Sequence, residues 1–279
     1  MTSNSLGRVS TWIQSRQIGP ATVHSLTDGQ FRLDGGAMFG SVPKTLWSKE
    51  TQADDLNRIL LATRSLVIED GNRKMLVDVG CGDKYSEKVR GIYCIEDKPY
   101  EPVPGVTDVL LTHLHFDHCG GSIVRNGDKL LPAFPNATYW SNERHWKWAT
   151  EPNAREKASF LRENIMPIQE SGQLKFVPLV ENGLSTFSEN ISIRFAHGHT
   201  DAMMLPIVKA GSETIAYCAD LLPSAAHVPV PYVMGYDTRP LLTLDEKVQF
   251  LNKAVDENWT LFFEHDPGLE CARLERTEK

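Results

Sequence analysis

The sequence predicts an α/β domain in which strands and helices form layers, and three observations point there. Short apolar runs recur along the chain, each bounded by Gly, Pro, Asn or Asp. Stretches with helix start signals lie among them. Residues of metal-ligating type gather just after several of the strand-like runs, which suits strands that feed chemistry-bearing loops while helices lie outside.

The strand-like runs are residues 21–26, 65–69, 74–78, 107–111, 138–140, 174–178, 191–196, 214–218 and 260–264, more of them in the N-terminal half. Two helix starts have the form of a capping box. In Thr243-Leu244-Asp245-Glu246 the threonine can accept from a free helical N–H while the glutamate reaches back, and Leu244, Val248, Leu251 and Val255 then share one face. Asn153-Ala154-Arg155-Glu156, just past Pro152, has the same form. Residues 141–150 read as a helix that ends before that proline, with Trp146 and Trp148 packing and His145 an exposed polar residue.

With 279 residues and no repeat, low-complexity tract or flexible linker, the chain reads as a single domain over residues 1–279, with a core of about residues 21–268. A net charge of -7 and no lysine- or arginine-rich run leave no electrostatic footprint for nucleic acid, so a small-molecule substrate is expected. Residues 1–8 lack the basic start and apolar stretch of a signal peptide, and no segment is apolar for long enough to span a bilayer. The expectation is a cytoplasmic protein that does not bind membranes. Its five cysteines, Cys81, Cys94, Cys119, Cys218 and Cys271, are scattered and never form a Cys-x-x-Cys pair, which reads as reduced packing residues.

The densest chemical signal is His113-Leu114-His115-Phe116-Asp117-His118, three imidazoles and a carboxylate in six residues, after the apolar run Val109-Leu110-Leu111. Imidazole nitrogen suits zinc and other first-row metals, and an adjacent carboxylate suits a site that does chemistry. Extended chain through this segment would put His113 and His115 on one side, with Asp117 and His118 following in a turn closed by Gly120-Gly121. Three further candidates each follow a strand-like run: His199, Asp220 and His265. Taken singly, each could be an ordinary surface histidine or helix-capping aspartate. Together they form a set.

The motif His113-x-His115-x-Asp117-His118, with His199, Asp220 and His265 in that order, resembles the metallo-β-lactamase superfamily of binuclear metallohydrolases. The resemblance covers about residues 34–265. It implies an αββα sandwich, two facing mixed β-sheets flanked by helices, with metals at one edge. It also implies a first metal on His113, His115 and His199, a second on Asp117, His118 and His265, and Asp220 bridging the two. Zinc is the first candidate, and such a donor set also accepts manganese, cobalt or iron. Met75-Leu76-Val77-Asp78 is similar to an early strand-end motif of the family, which implies that Asp78 holds the His113 loop without touching a metal.

The implied reaction is hydrolysis by a hydroxide shared between two metals, with Asp117 and Asp220 as the catalytic carboxylates and no serine or cysteine nucleophile. Within the superfamily His115 stands where flavodiiron oxygen reductases carry glutamate, and Asp220 stands where the commonest β-lactamases use a cysteine ligand. The acidic chain does not suit the nuclease branch. The His-Leu-His-Phe-Asp-His wording and the stretch from Leu33 to Lys44 are similar to N-acyl-homoserine lactonases. Ala196-His197-Gly198-His199-Thr200 and Phe134-Pro135-Asn136-Ala137 resemble methyl parathion hydrolase, a phosphotriesterase. Opening of a lactone or ester is therefore expected, with phosphotriester or aryl-ester hydrolysis as the alternative and a non-catalytic metal-binding scaffold behind both.

Two departures stand out. Thr200-Asp201-Ala202-Met203 replaces a common Thr-x-Gly-His, and Leu221-Leu222-Pro223 stands where well-known lactonases place a tyrosine. Tyr232 and Tyr236 are later tyrosines. Met38, Phe39, Trp47, Phe116, Met203, Met204, His227, Tyr232 and Tyr236 are candidates for an adaptable apolar substrate pocket. Lactonase-like relatives also suggest a homodimer formed through the N-terminal segment.

Overall fold

The structure, a computed structural model, describes residues 15–96 and 101–276. The N-terminal segment named above for a targeting signal and for a dimer contact lies outside the described residues up to residue 14.

Two mixed sheets face each other. The first runs in the order β1 (Arg16–Ile18), β2 (Ala21–Asp34), β3 (Arg58–Asp70), β4 (Arg73–Val77), β5 (Asp108–Leu110), β8 (Thr138–Ser141) and β9 (Leu174–Phe176). A small hairpin of β6 (Ile123–Asn126) and β7 (Lys129–Pro132) lies apart. The second sheet runs β10 (Leu184–Thr186), β11 (Ile191–Ala196), β12 (Met203–Ala210), β13 (Glu213–Tyr217), β14 (Thr260–Phe262) and β15 (Cys271–Ala272).

Period-two alternation explains why the sheets pack as they do. In the first sheet Leu66, Ile68, Met75 and Val77 point into a cluster shared with Ile193, Val208 and Ile215, which the pairing register puts on one face of the second. The intervening Val67 and Leu76 point the other way, into a cluster with Trp146 of α5 (Glu143–Thr150) and Ile165 and Ile168 of α6 (Arg162–Glu170). On the outer side of the second sheet, α7 (Pro240–Asp256) contributes Phe250 and Ala254. The layers are thus helix, sheet, sheet, helix, the αββα sandwich that the sequence resemblance implies.

Several local expectations need correction. The α7 helix begins at Pro240, three residues before Thr243, because proline at the first helical position presets the backbone and needs no N–H partner. Glu246 does not cap the helix; its carboxylate accepts from the backbone N–H groups of His197 (2.7 Å) and Gly198 (3.0 Å). The buried face of α7 is Thr243, Lys247, Phe250 and Ala254, with the predicted Leu244, Val248, Leu251 and Val255 flanking it. Asn153 does accept from Arg155 N and Glu156 N, yet residues 154–159 form turns and no α-helix. His145 is fully buried. Strands β2 and β3 run far past their predicted ends, through a bulge between Thr27 and Gly29. Four of the five cysteines are buried and Cys94 is exposed.

Candidate metal centre

Each predicted ligand sits where chain leaves the C-terminal end of a strand, the side on which open sheets present their sites. Residues 111–115 leave β5, and the single turn α4 (Phe116–Cys119) then folds Asp117 and His118 inward. The chain doubles back at once, which is possible because Gly120 has no side chain: a Cβ there would stand 1.9 Å from the Cys81 carbonyl oxygen. His199 follows β11, Asp220 sits in a 3-10 turn after β13, and His265 follows β14. Gly198 matters for the same reason as Gly120, since a Cβ there would come within 2.3 Å of Thr243 N.

The seven residues converge in two adjoining groups. His113, His115, His199 and Asp220 form one, and Asp117, His118 and His265 the other, each with ligand atoms within 4.8 Å of one another. His199 Nε2 is 3.2 Å from His115 Nδ1, and His265 Nε2 is 3.1 Å from His118 Nε2. Asp220 faces both groups: Oδ2 lies 3.1 Å from His199 Nε2 and 3.9 Å from His113 Nε2, while Oδ1 lies 3.3 Å from His265 Nε2 and 3.5 Å from His118 Nε2. Asp117 Oδ2 stands 3.8 Å from His265 Nε2.

This donor set fits a metal. Ligand atoms held tetrahedrally about 2 Å from an ion stand about 3.3 Å apart, which matches these spacings. His113 Nε2 and Asp220 Oδ1 are buried with no hydrogen-bond partner among the described residues, a costly state unless something fills the space between them.

The far nitrogens of His113, His118, His199 and His265 are also held, which sets each ring's orientation. His118 Nδ1 lies 3.0 Å from Asp78 Oδ2, and Asp78 also accepts from Thr112 N (2.8 Å) and Thr112 Oγ1 (2.7 Å). His199 Nδ1 is 2.9 Å from Asp237 Oδ1, His265 Nδ1 is 2.8 Å from Ala62 O, and His113 Nδ1 is 3.1 Å from Thr112 Oγ1. Glu264 Oε2 approaches His118 Nδ1 to 2.9 Å.

The charges follow from this packing. Burial, with His118 and His115 nearby, holds His113 well below the usual imidazole pKa. Burial works against protonation of His265 too, but the Asp220 carboxylate prevails and raises it to about 9. Burial likewise opposes ionisation of Asp220, and the His118 and His199 rings outweigh it, so Asp220 stays well below the usual carboxylate range. Burial raises Glu264.

A cavity of about 350 Å³ opens above these groups, with His115, Asp117, His199, Asp220 and His265 in its floor. Leu33, Met38, Leu61, Tyr93, Phe116, Met234 and Tyr236 give it apolar and aromatic walls, and Arg155, Glu156 and Ser159 a polar side. Of the predicted pocket residues Met38, Phe116 and Tyr236 line it. The others do not. Met203 and Met204 are fully buried in β12, whose unbroken apolar run lies in the middle of the second sheet. Phe39 is sealed between Trp47 and His227, stacking on both rings, and Tyr232 packs edge-on against it. His227 ties this cluster to the chain through Met38 O, 2.9 Å from Nε2.

Sequence reasoning missed Asp237, Glu264 and Glu156 and misplaced His145, which accepts from Leu114 N at 2.9 Å and donates to Asp201 O. Neutral imidazole is what that pair of bonds requires, and burial lowers His145 to about 4. Their only sequence signal is a polar side chain beside a motif, within a helix-like run or, for Asp237, alone in a loop.

The chain belongs to the metallo-β-lactamase superfamily, whose family profile matches residues 58–265. Among solved structures it is similar to a probable metal-dependent hydrolase from Staphylococcus aureus, with 25% identity, 95% of this chain and 100% of the other covered, and a TM-score of 0.82. It is also similar in fold to AidC, a dizinc quorum-quenching lactonase solved with a product, at 21% identity, 96% and 98% coverage and a TM-score of 0.71. An N-acyl homoserine lactone hydrolase with N-hexanoyl-L-homoserine bound at its metal centre matches at 17% identity, 90% and 95% coverage and a TM-score of 0.65. No curated protein sequence matches the chain. No helix among the described residues is long and apolar enough to cross a membrane.

Proposed function

We propose that the protein binds two divalent metal ions, zinc first among them, and hydrolyses a lactone or related ester of the N-acyl-homoserine lactone type. The observation that carries this reading is the division of Asp220, one oxygen toward His113 and His199 and the other toward His118 and His265, beneath a largely apolar cavity. His113, His115 and His199 would hold one ion, Asp117, His118 and His265 the other, and Asp220 would join them. Two such ions supply an activated water near neutral pH and positive charge where a carbonyl oxygen becomes negative.

The chain's own groups do the rest. Leu33, Leu61, Phe116 and Met234 present a surface for an acyl chain and keep bulk water from the floor. In lactone opening a hydroxyl adds to the carbonyl carbon, the ring acyl–oxygen bond breaks, and the departing alkoxide takes up a proton. Asp117, in the cavity floor, stands where that proton can be held and passed on.

The test compares substrates on one zinc-reconstituted preparation, following lactone opening by pH-stat and phosphotriester hydrolysis with paraoxon. Lactone turnover well above paraoxon turnover is expected. Background rates on lactones beside brisk paraoxon hydrolysis would move the assignment to a phosphotriesterase.

A further inference from the structure

We propose that Glu156 is a positioning residue for the first metal position, holding the proton of His115 on Nε2 so that Nδ1 is free to bind metal. The proposal rests on the reading of His115 as a ligand.

His115 turns Nδ1 toward His199 Nε2, at 3.2 Å, and its opposite nitrogen Nε2 toward Glu156 Oε1, at 3.4 Å. Neither Nε2 nor Oε1 has a hydrogen-bond partner among the described residues, although both residues are more than nine-tenths buried, so the two atoms face each other as unsatisfied polar groups. The other four imidazoles of the two groups each have a closer partner behind them. For His115 the partner is Glu156, which comes from a separate stretch of chain.

The carboxylate is well fixed. Its Oε2 accepts from Trp148 Nε1 (2.7 Å) and Asn153 Nδ2 (2.6 Å), and the Phe160 ring packs on His115 with centroids 4.8 Å apart. With Trp148 and Asn153 both donating to Oε2, the carboxylate presents Oε1 to His115 as an acceptor. An acceptor facing Nε2 selects the tautomer protonated there. Arg155, next in the chain, binds the carbonyl oxygens of Gly235 and Asp237, so the same turn also fastens the loop that carries the His199 partner.

The decisive substitution is Glu156→Gln, which keeps size and shape. With its oxygen left toward Trp148 and Asn153, the amide points an N–H at His115 Nε2. That nitrogen must then accept, and the ring proton moves to Nδ1, the atom the metal needs. With the amide flipped, its N–H group opposes two donors.

Zinc affinity measured by chelator competition should fall about 10- to 100-fold in Glu156→Gln, for one of two ions, with an altered cobalt absorption spectrum. The metal-free thermal midpoint should change little. In a His115→Ala background the same substitution should have no further effect on affinity. Should Glu156→Gln fail to fold, ¹⁵N NMR of the zinc-loaded wild-type chain decides: His115 protonated on Nε2 supports the proposal, and protonation on Nδ1 overturns it. Wild-type affinity and spectrum in Glu156→Gln also overturn it, while leaving the two-metal reading intact. A wild-type chain that binds no metal removes both.

Discussion

Asp237 Oδ1 lies 2.9 Å from His199 Nδ1, and the other oxygen of the same carboxylate accepts from Met234 N at 3.2 Å. One buried side chain thus joins a candidate metal ligand to the loop that forms a cavity wall through Met234, Gly235 and Tyr236. Replacing it should therefore disturb metal and substrate together. Asp237→Asn is expected to lower metal affinity about 10-fold or more and to raise KM as well as lower kcat. A variant with a normal metal dissociation constant and only a changed KM would show that the contact serves the loop alone.

Asp220 faces both groups of histidines, so both halves of the proposed centre would depend on it. Asp220→Ala should bind fewer ions than the wild-type chain under the same loading and should hydrolyse substrate at background rate. Metal analysis alongside the assay checks this, and full occupancy at full rate would refute the bridging role.

Gly198 is predicted to tolerate no side chain, because a Cβ would lie 2.3 Å from Thr243 N in the well-packed start of α7. Overpacking of this kind costs about 1–3 kcal/mol. Gly198→Ala should lower the thermal midpoint and, by moving the next residue, His199, weaken metal binding. Gly91→Ala, where nothing stands within 4 Å of the added carbon, is the control and should do neither.

Lys247 is fully buried and donates to Pro229 O (2.9 Å) and Tyr232 O (2.7 Å), with burial lowering its pKa to about 7. A neutral amine still has two N–H groups, enough for both carbonyls. In the unfolded chain lysine titrates near ~10.4, so between about pH 7 and 10 the unfolded state binds a proton that the folded state does not. Stability from this group must then rise with pH across that window. The urea midpoint of the wild-type chain relative to Lys247→Met should climb from pH 7 to pH 10. A flat difference would show that Lys247 keeps its charge in the fold.

The legible part of the site was the part in which chemistry is dense in sequence. The His113–His118 run and Asp78 stand at strand ends that alternation alone locates, and the structure brings the seven proposed ligands into two groups. Residues that act singly from a distance were not legible. Asp237 is a lone aspartate in a Gly/Tyr-rich loop, Glu156 imitates a helix cap, and His145 looks like one polar residue in an amphipathic helix. Their roles depend on which strands become neighbours, which no local pattern encodes. The pocket suffered from the same limit: Met203 and Met204 open an apolar run that the second sheet buries as a central strand, while Tyr93, Leu61 and Met234 reach the cavity from far along the chain. Likewise Pro240, not the more suggestive Thr243, starts α7, because a preset backbone angle needs no side-chain cap.

In the proposed centre two metal ions share Asp220 between two sets of histidines. Anomalous diffraction at the zinc edge from zinc-loaded crystals tests it most directly. Two peaks are expected, one among His113, His115 and His199 and one among Asp117, His118 and His265, with Asp220 in contact with both. A single peak at full zinc loading, or two peaks of which Asp220 touches only one, would contradict it.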